Sequence, residues 1–192
     1  MTLHPLVEAA ARGELPEWTE AHAGRRAHMA RVADLVGMWA DALGLGARER
    51  RRWRALAYLH DSLRDADPEC LRPRVPPDLS DLPGLLLHGP AAAERIRVAG
   101  VTDGPFLMAI RYHTLGHPGL ERMGRALYAG DFLDPGRDIL RAWRAELRAR
   151  MPGELGAVVR EICAARISHL ISSGTTVRRE TAEFWNTLAV EG

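Results

Sequence analysis

Apolar residues recur at intervals of three and four along almost the whole chain, and no window alternates with period two over the length of a strand. This periodicity restricts the polypeptide to helices that each bury one stripe, so an all-α fold is expected. The first strong helix is predicted over residues 21–43. There Val32, Leu35, Val36, Trp39 and Leu43 share a stripe that His28 extends inward, and Gly44 and Gly46 follow it. A second helix, over 47–64, turns Trp53, Leu56 and Ala57 inward, and His60 is the next member of the same series. Five prolines in "DADPECLRPRVPPDLSDLP" then remove donors and fix φ, which predicts a loop.

Beyond that loop the pattern resumes. A third helix is expected near "LLLHGPAAAERI", with His88 at its mouth, Pro90 in its first turn and Gly100 past its end. A fourth follows "TDGP" with Asp103 as its cap, and Phe106, Ala109, Ile110 and His113 repeat the spacing that led to His60. A fifth, over 120–133, aligns Leu120, Met123, Leu127 and Asp131. Two more amphipathic helices over 138–150 and 154–172 carry no inward polar residue, a short one around 179–188 carries Phe184 and Trp185, and all three read as scaffold. The aromatics Trp143, Phe184 and Trp185 read as exposed, which leaves room for a homodimer contact.

With 192 residues the chain fits one domain, read as an N-terminal segment (1–20), a metal-binding core (21–137) and C-terminal helices packed on that core (138–192). A formal charge of +1 with 46% hydrophobic residues describes an ordinary globular chain and excludes a strongly basic nucleic-acid binder. All 26 basic side chains are arginine, so any phosphate must be gripped by guanidinium. Cys70 and Cys163 stand far apart with no CxxC spacing, which points to a reducing cytoplasm. The N-terminus lacks a basic segment followed by an apolar core, and no stretch approaches a membrane span.

His28, His60, Asp61, His88, His113 and Asp131 thus stand at or next to the inward ends of helical stripes. One histidine on an apolar face is ordinarily a hydrogen-bonded core residue. Four imidazoles and two carboxylates facing one core carry a desolvation penalty that shared divalent cations would neutralise. Mixed imidazole and carboxylate ligation suits iron, manganese, zinc or cobalt better than calcium or magnesium. Six ligands on one ion leave no open position, whereas shared between two ions they leave vacancies on both. His4, His22 and His169 fall off the convergent stripes, and His117 is undecided.

The order H…HD…H…H…D, with the doublet inside "YLHDSLRD", resembles the ligand set of HD-domain metal-dependent phosphohydrolases. More narrowly, "LLLHGPAAAERI", "AIRYHTLGHPG" and "YAGDFLDPGRD" are similar to the LLHG, AIxYHTTG and ADxIEPxR stretches of the YqeK-like family of symmetrical diadenosine tetraphosphate hydrolases. The likeness runs over residues 25–137, more than half of the chain. Leu115, His117 and Asp134 depart from the family pattern, at positions where a small or hydroxyl residue, a basic residue and Glu are usual.

The resemblance implies an HD-domain helical bundle in which His28, His60, Asp61 and Asp131 hold one metal while Asp61, His88 and His113 hold the other. Asp61 would bridge. It implies two irons, which the ligand chemistry permits without selecting them over manganese. It further implies a nucleotide substrate cleaved into two ADP by a hydroxide held between the ions, with no side-chain nucleophile. Arg64 corresponds to the basic residue after HD in the family and is read as one turn beyond His60 on the same helix, facing the pocket; it and Asp61 are the catalytic candidates. Arg137, Thr114 and Arg25 are further substrate-binding candidates, and Arg72 or Arg74 could serve on a lid.

Two other readings remain. Because nothing in the sequence reads a base, the substrate could be another nucleotide or small phosphoester. A non-catalytic helical binding module with a relic cluster is the alternative from another class, and the intact ligand set argues against it. A cyclic-dinucleotide phosphodiesterase of the HD-GYP kind is disfavoured, since no HH pair or GYP stretch follows His113.

Overall fold

The computed structural model describes residues 2–191, and among them the apolar periodicity resolves into α-helices and short 3-10 turns without a strand. The helices are α1 (Pro5–Ala11), α2 (Ala23–Ala42), α3 (Ala47–Leu59), α4 (Pro68–Leu71), α5 (His88–Val98), α6 (Gly104–Tyr112), α7 (Arg122–Phe132), α8 (Arg141–Arg150), α9 (Leu155–Ser172) and α10 (Arg179–Glu191). α2 packs along α3 and α7, α5 along α6, and α7 along α6 and α9, on which α10 packs in turn. α1 lies on α3, and Leu3, Val7 and Ala10 join the same buried cluster as Phe184 and Leu188 near the other end of the chain. No helix is long and apolar enough to cross a membrane among the described residues.

Local chemistry sets the helix ends that matter for the site. Asp103 caps α6 as expected, accepting from the Phe106 N–H at 3.1 Å, and Arg52 fixes the same carboxylate through two contacts of 2.6 Å. His22, read as a bystander, caps α2 by accepting from the Arg25 N–H. The segment before α2 is tied to the turn after α3 in both directions, Glu20 N–H to Ser62 O and Asp65 N–H to Glu20 O. The proline-rich loop is not structureless: it folds as α4 followed by 3-10 turns at Arg72–Arg74, Pro77–Leu79 and Gly84–Leu86.

Three expectations are corrected. The second helix ends at Leu59 and not at 64; from His60 onward the chain runs in tighter i→i+3 bonds, Ser62 N–H to Leu59 O and Arg64 N–H to Asp61 O. Arg64 therefore lies on a turn beyond α3. The C-terminal helices are not free of inward polar residues: Arg144 is buried and donates to Phe132 O, Arg148 reaches Leu133 O at 2.8 Å, and together they satisfy carbonyls at the end of α7. Phe184 is not exposed. It is fully buried with its ring centroid 5.3 Å from that of Tyr128, and Trp143 and Trp185 are themselves half-buried against the core.

Phe184→Ala should thus act as a core deletion and cost about 3–5 kcal/mol in denaturant unfolding. A variant of wild-type stability with an altered oligomeric state would restore the surface role that the sequence suggested.

Candidate metal centre

Two close helix contacts bring the donors together, and each depends on a glycine next to a donor. A Cβ on Gly89 would meet Ile110 O at 3.0 Å and the His113 ring at 3.2 Å, so only glycine lets the mouth of α5 sit on the end of α6 with His88 beside His113. A Cβ on Gly130 would meet Val36 at 2.9 Å and Val32 at 3.4 Å, so the same device presses α7 onto α2 and sets Asp131 against His28. His60 is the C-cap of α3 and Asp61 opens the tight turn beyond it. All six groups are buried, Asp61 with 3% of its surface exposed.

The four imidazoles share one hydrogen-bonding scheme. Nδ1 of His60 lies 2.6 Å from Ala57 O, that of His88 is 3.0 Å from Leu85 O, and that of His113 is 2.8 Å from Ile110 O. His28 Nδ1 instead meets the Asp134 carboxylate at 2.7 Å. Each acceptor holds a proton on Nδ1, which turns every Nε2 inward, where it offers a lone pair whenever its ring is neutral. His28 Nε2 and His60 Nε2 are buried with no hydrogen-bond partner, and the Nε2 atoms of His88 and His113 face each other at 3.1 Å. Converging lone pairs in a dry core are unfavourable by themselves and are the donor arrangement that a cation requires.

Asp61 divides these rings in two. Its Oδ1 lies 3.2 Å from His88 Nε2 and 3.5 Å from His113 Nε2, while its Oδ2 lies 3.6 Å from His60 Nε2 and 3.7 Å from His28 Nε2. His28 Nε2 is also 3.2 Å from Asp131 Oδ1. Two ligands about 2.1 Å from a common ion stand about 3.0–3.4 Å apart at octahedral or tetrahedral angles; the two separations of 3.2 Å fall in that span, and those of 3.5, 3.6 and 3.7 Å lie slightly beyond it. The donors His28, His60 and Asp131, and again His60, Asp61 and His113, lie within 4.8 Å of one another.

Electrostatics favour the ligand forms for most of the set. Burial pushes His60 down to about 4 and also lowers His88, so both rings are neutral near pH 7. Burial alone would raise Asp61, but the surrounding imidazoles hold it well below the usual carboxylate range. Asp131 is likewise held ionised against its burial, by His28 and then by Arg166 and Arg137. Burial works against a charge on His28 as well, yet Asp131 and Asp134 outweigh it and raise that ring to about 9, so a cation entering there displaces a proton.

Around the cluster stands a ring of guanidinium groups. Arg25 donates to Asp61 Oδ2 at 2.8 Å, a direct contact with the central carboxylate. Arg137 reaches Asp131 Oδ1 at 2.8 Å. Arg64 is half-buried and acts electrostatically on His88, and its guanidinium makes no hydrogen bond or ion pair among the described residues. Thr114 gives its carbonyl to Arg166, whose other nitrogen lies 3.3 Å from Asp131 Oδ2. Arg72 does not reach the cluster, being spent on Ser80 O and Leu82 O, and Arg74 lines a separate surface with Glu94 and Arg95. His117 stacks on Tyr112, outside the donor set.

Sequence reasoning missed two participants. Asp134 not only holds His28 but is itself held by Arg31 through contacts of 2.7 and 2.8 Å, and its carboxyl is kept strongly acidic despite partial burial. Arg166 was legible in principle, since Val159, Ile162, Cys163 and Arg166 form the same stepped series that led to His60 and His113.

A dense helical bundle with this inward donor set defines a class of metal-centre proteins, and the chain belongs to the HD domain family, which it matches over residues 25–169. It is similar to the symmetrical bis(5'-nucleosyl)-tetraphosphatase of Bacillus subtilis, with 32% identity over 56% of this chain and 62% of that protein. The enzyme of the same name from Staphylococcus aureus is 30% identical over 57% of each chain. The chain thus spans about three-fifths of the length of these two relatives. A third, from Halalkalibacterium halodurans, is 23% identical over 84% of this chain and 90% of its own. A crystal structure of a "predicted HD superfamily hydrolase involved in NAD metabolism" from Clostridium acetobutylicum superposes with a TM-score of 0.77. It covers 97% of this chain and 96% of that one at 22% identity, a likeness of fold.

Asp134→Ala should leave His28 without its orienting acceptor and weaken metal uptake about 10–100-fold, measured by competition with a chromophoric chelator. An unchanged affinity would mean that His28 is not a ligand.

Proposed function

We propose that the chain is a metal-dependent phosphohydrolase that splits diadenosine tetraphosphate symmetrically into two ADP. It would hold two divalent cations, iron or manganese, through His28, His60, Asp61, His88, His113 and Asp131. The observation that carries this reading is the division of Asp61, one oxygen toward His88 and His113 and the other toward His28 and His60. A single carboxylate facing two pairs of imidazole Nε2 atoms suits a bridge between two ions. Bound cations of this kind acidify water and draw charge from phosphoryl oxygens.

The remaining work falls to this chain's own side chains. Asp61 and Asp131 are kept ionised, and Arg25 and Arg137 hold one oxygen of each in place. Arg64 is the guanidinium at the cluster without an acceptor of its own, and it is available to a phosphate oxygen as negative charge shifts during cleavage. Arg166, which links Thr114 O to Asp131 Oδ2, would orient the rest of the phosphate chain together with Thr114. No serine or cysteine is needed as nucleophile, and the activity would reside in the reducing cytoplasm, where Cys70 and Cys163 stay free thiols. The names of the three curated relatives support the choice of substrate.

Protein loaded with iron or manganese should release ADP as the sole nucleotide product of diadenosine tetraphosphate, resolved by ion-exchange chromatography. ATP with AMP, or no turnover with both ions bound, would contradict the reading. Asp61→Ala should abolish turnover and lower metal content together. Arg64→Ala should keep its metal and lose roughly 10- to 150-fold in kcat/KM, the loss of about 1.5–3 kcal/mol expected for a charged hydrogen bond.

A further inference from the structure

The entry to α2 is pinned by one carboxylate. Asp65 lies on the turn beyond α3, and its Oδ2 accepts the His22 N–H at 2.9 Å. The Asp65 N–H reaches Glu20 O at 3.2 Å while the Glu20 N–H reaches Ser62 O at 2.8 Å, so the two segments are paired in both directions. His22 passes this register on, since its Nδ1 accepts the Arg25 N–H at 3.2 Å. Arg25 stands one turn before His28 on the same helix, so the point at which α2 begins sets the position of both residues.

The same carboxylate also faces the Arg25 side chain. Arg25 donates from Nη1 to Asp61 Oδ2 at 2.8 Å, and its Nε lies 3.9 Å from Asp65 Oδ1. One guanidinium is thus set between two acids of one turn, whereas Arg64 on that turn pairs with neither. The Arg25 Nε is buried without a hydrogen-bond partner, which leaves it dependent on the nearby Asp65 charge. Asp61 alone is a poor anchor for Arg25, because cations that share its charge weaken its pull on a guanidinium. Asp65 stands outside the donor set, so its attraction for Arg25 is not shared with them.

We infer that Asp65 is a positioning residue of the metal centre, acting through Arg25 to keep Asp61 Oδ2 turned toward His28 and His60. Arg25 is then a brace for the bridging carboxylate and not a contact for substrate, although its charge and place suggested one. The inference rests on the proposed two-cation reading of the cluster and adds a part played by residues that supply no donor. The segment before α2 reaches the centre by this route, from Glu20 and His22 through Asp65 and Arg25 to Asp61.

The test is a double-mutant cycle over Asp65→Asn, Arg25→Gln and the double variant, read as manganese affinity by competition with a chromophoric chelator. Asparagine keeps an oxygen for the His22 N–H, so the entry to α2 is retained and only the charge facing Arg25 is lost. Arg25→Gln should weaken manganese binding about tenfold or more, as loss of a group that orients a metal ligand does. Asp65→Asn should weaken it about three- to fivefold, the range of a partly exposed ion pair. The double variant should match Arg25→Gln to within about twofold, because Asp65 acts only through Arg25. A charge acting through space would instead multiply the two losses; that result, or an unchanged affinity in Asp65→Asn, would overturn the inference. Inorganic pyrophosphate should bind manganese-saturated Arg25→Gln within about twofold of the wild type. Loss of pyrophosphate binding with manganese affinity unchanged would make Arg25 a substrate contact and would also overturn it. Because the cycle reads metal alone, the expected coupling in a protein that leaves diadenosine tetraphosphate intact would uphold the role of Asp65 and reject the proposed substrate alone.

Discussion

Four imidazoles and two carboxylates are gathered in an apolar core with every Nδ1 already committed to a protein acceptor. That arrangement is unfavourable unless positive charge enters it, because each Nε2 left unpaired and each buried carboxylate forfeits its hydration. The rest of the molecule is organised around this constraint. Backbone carbonyls three residues upstream fix the rings of His60, His88 and His113, so the helix ends that carry these residues also set their tautomers. His28 sits inside α2, where the upstream carbonyls are spent on the helix, and Asp134 takes over that role from across the bundle.

The same constraint explains why the helices flanking the cluster are packed so tightly. Gly89 and Gly130 admit backbone approaches that any larger residue would hold open, and each is adjacent in sequence to a donor. The C-terminal helices complete the enclosure. Arg144 and Arg148 satisfy carbonyls at the end of α7, while Arg166 reaches from α9 to Asp131. A buried carboxylate at the end of an apolar helix stripe is thereby kept ionised, first by His28 and then by the guanidiniums of Arg166 and Arg137.

Much of this was legible before folding was considered. The stripes that end in His60, His113 and Asp131 identify their burial because periodicity reports directly on which face a helix hides, and the Asp103 cap follows from local chemistry. What escaped depends on contacts between distant segments. The end of α3 at Leu59 is set by the backbone pairing of Glu20 with Ser62 and Asp65, which no local pattern reveals. Phe184 looks like a surface aromatic on a short amphipathic helix until Tyr128 is brought against it. Asp134 and Arg31 are more than a hundred positions apart, and neither lies on a stripe. Arg166 is the instructive omission: its stepped series matches those of the donors, yet the helix that carries it reads as scaffold without an inward polar residue.

The donor set and the guanidiniums of Arg25, Arg64, Arg137 and Arg166 form one continuous site suited to a charged phosphate chain. All of it turns on whether the two oxygens of Asp61 face two separate ions. Anomalous diffraction at the iron or manganese edge from metal-loaded crystals tests this most directly. The account requires two peaks about 3.5–4 Å apart with Asp61 between them. A lone peak bound away from Asp61 would contradict it, as would metal held by histidines outside the buried four.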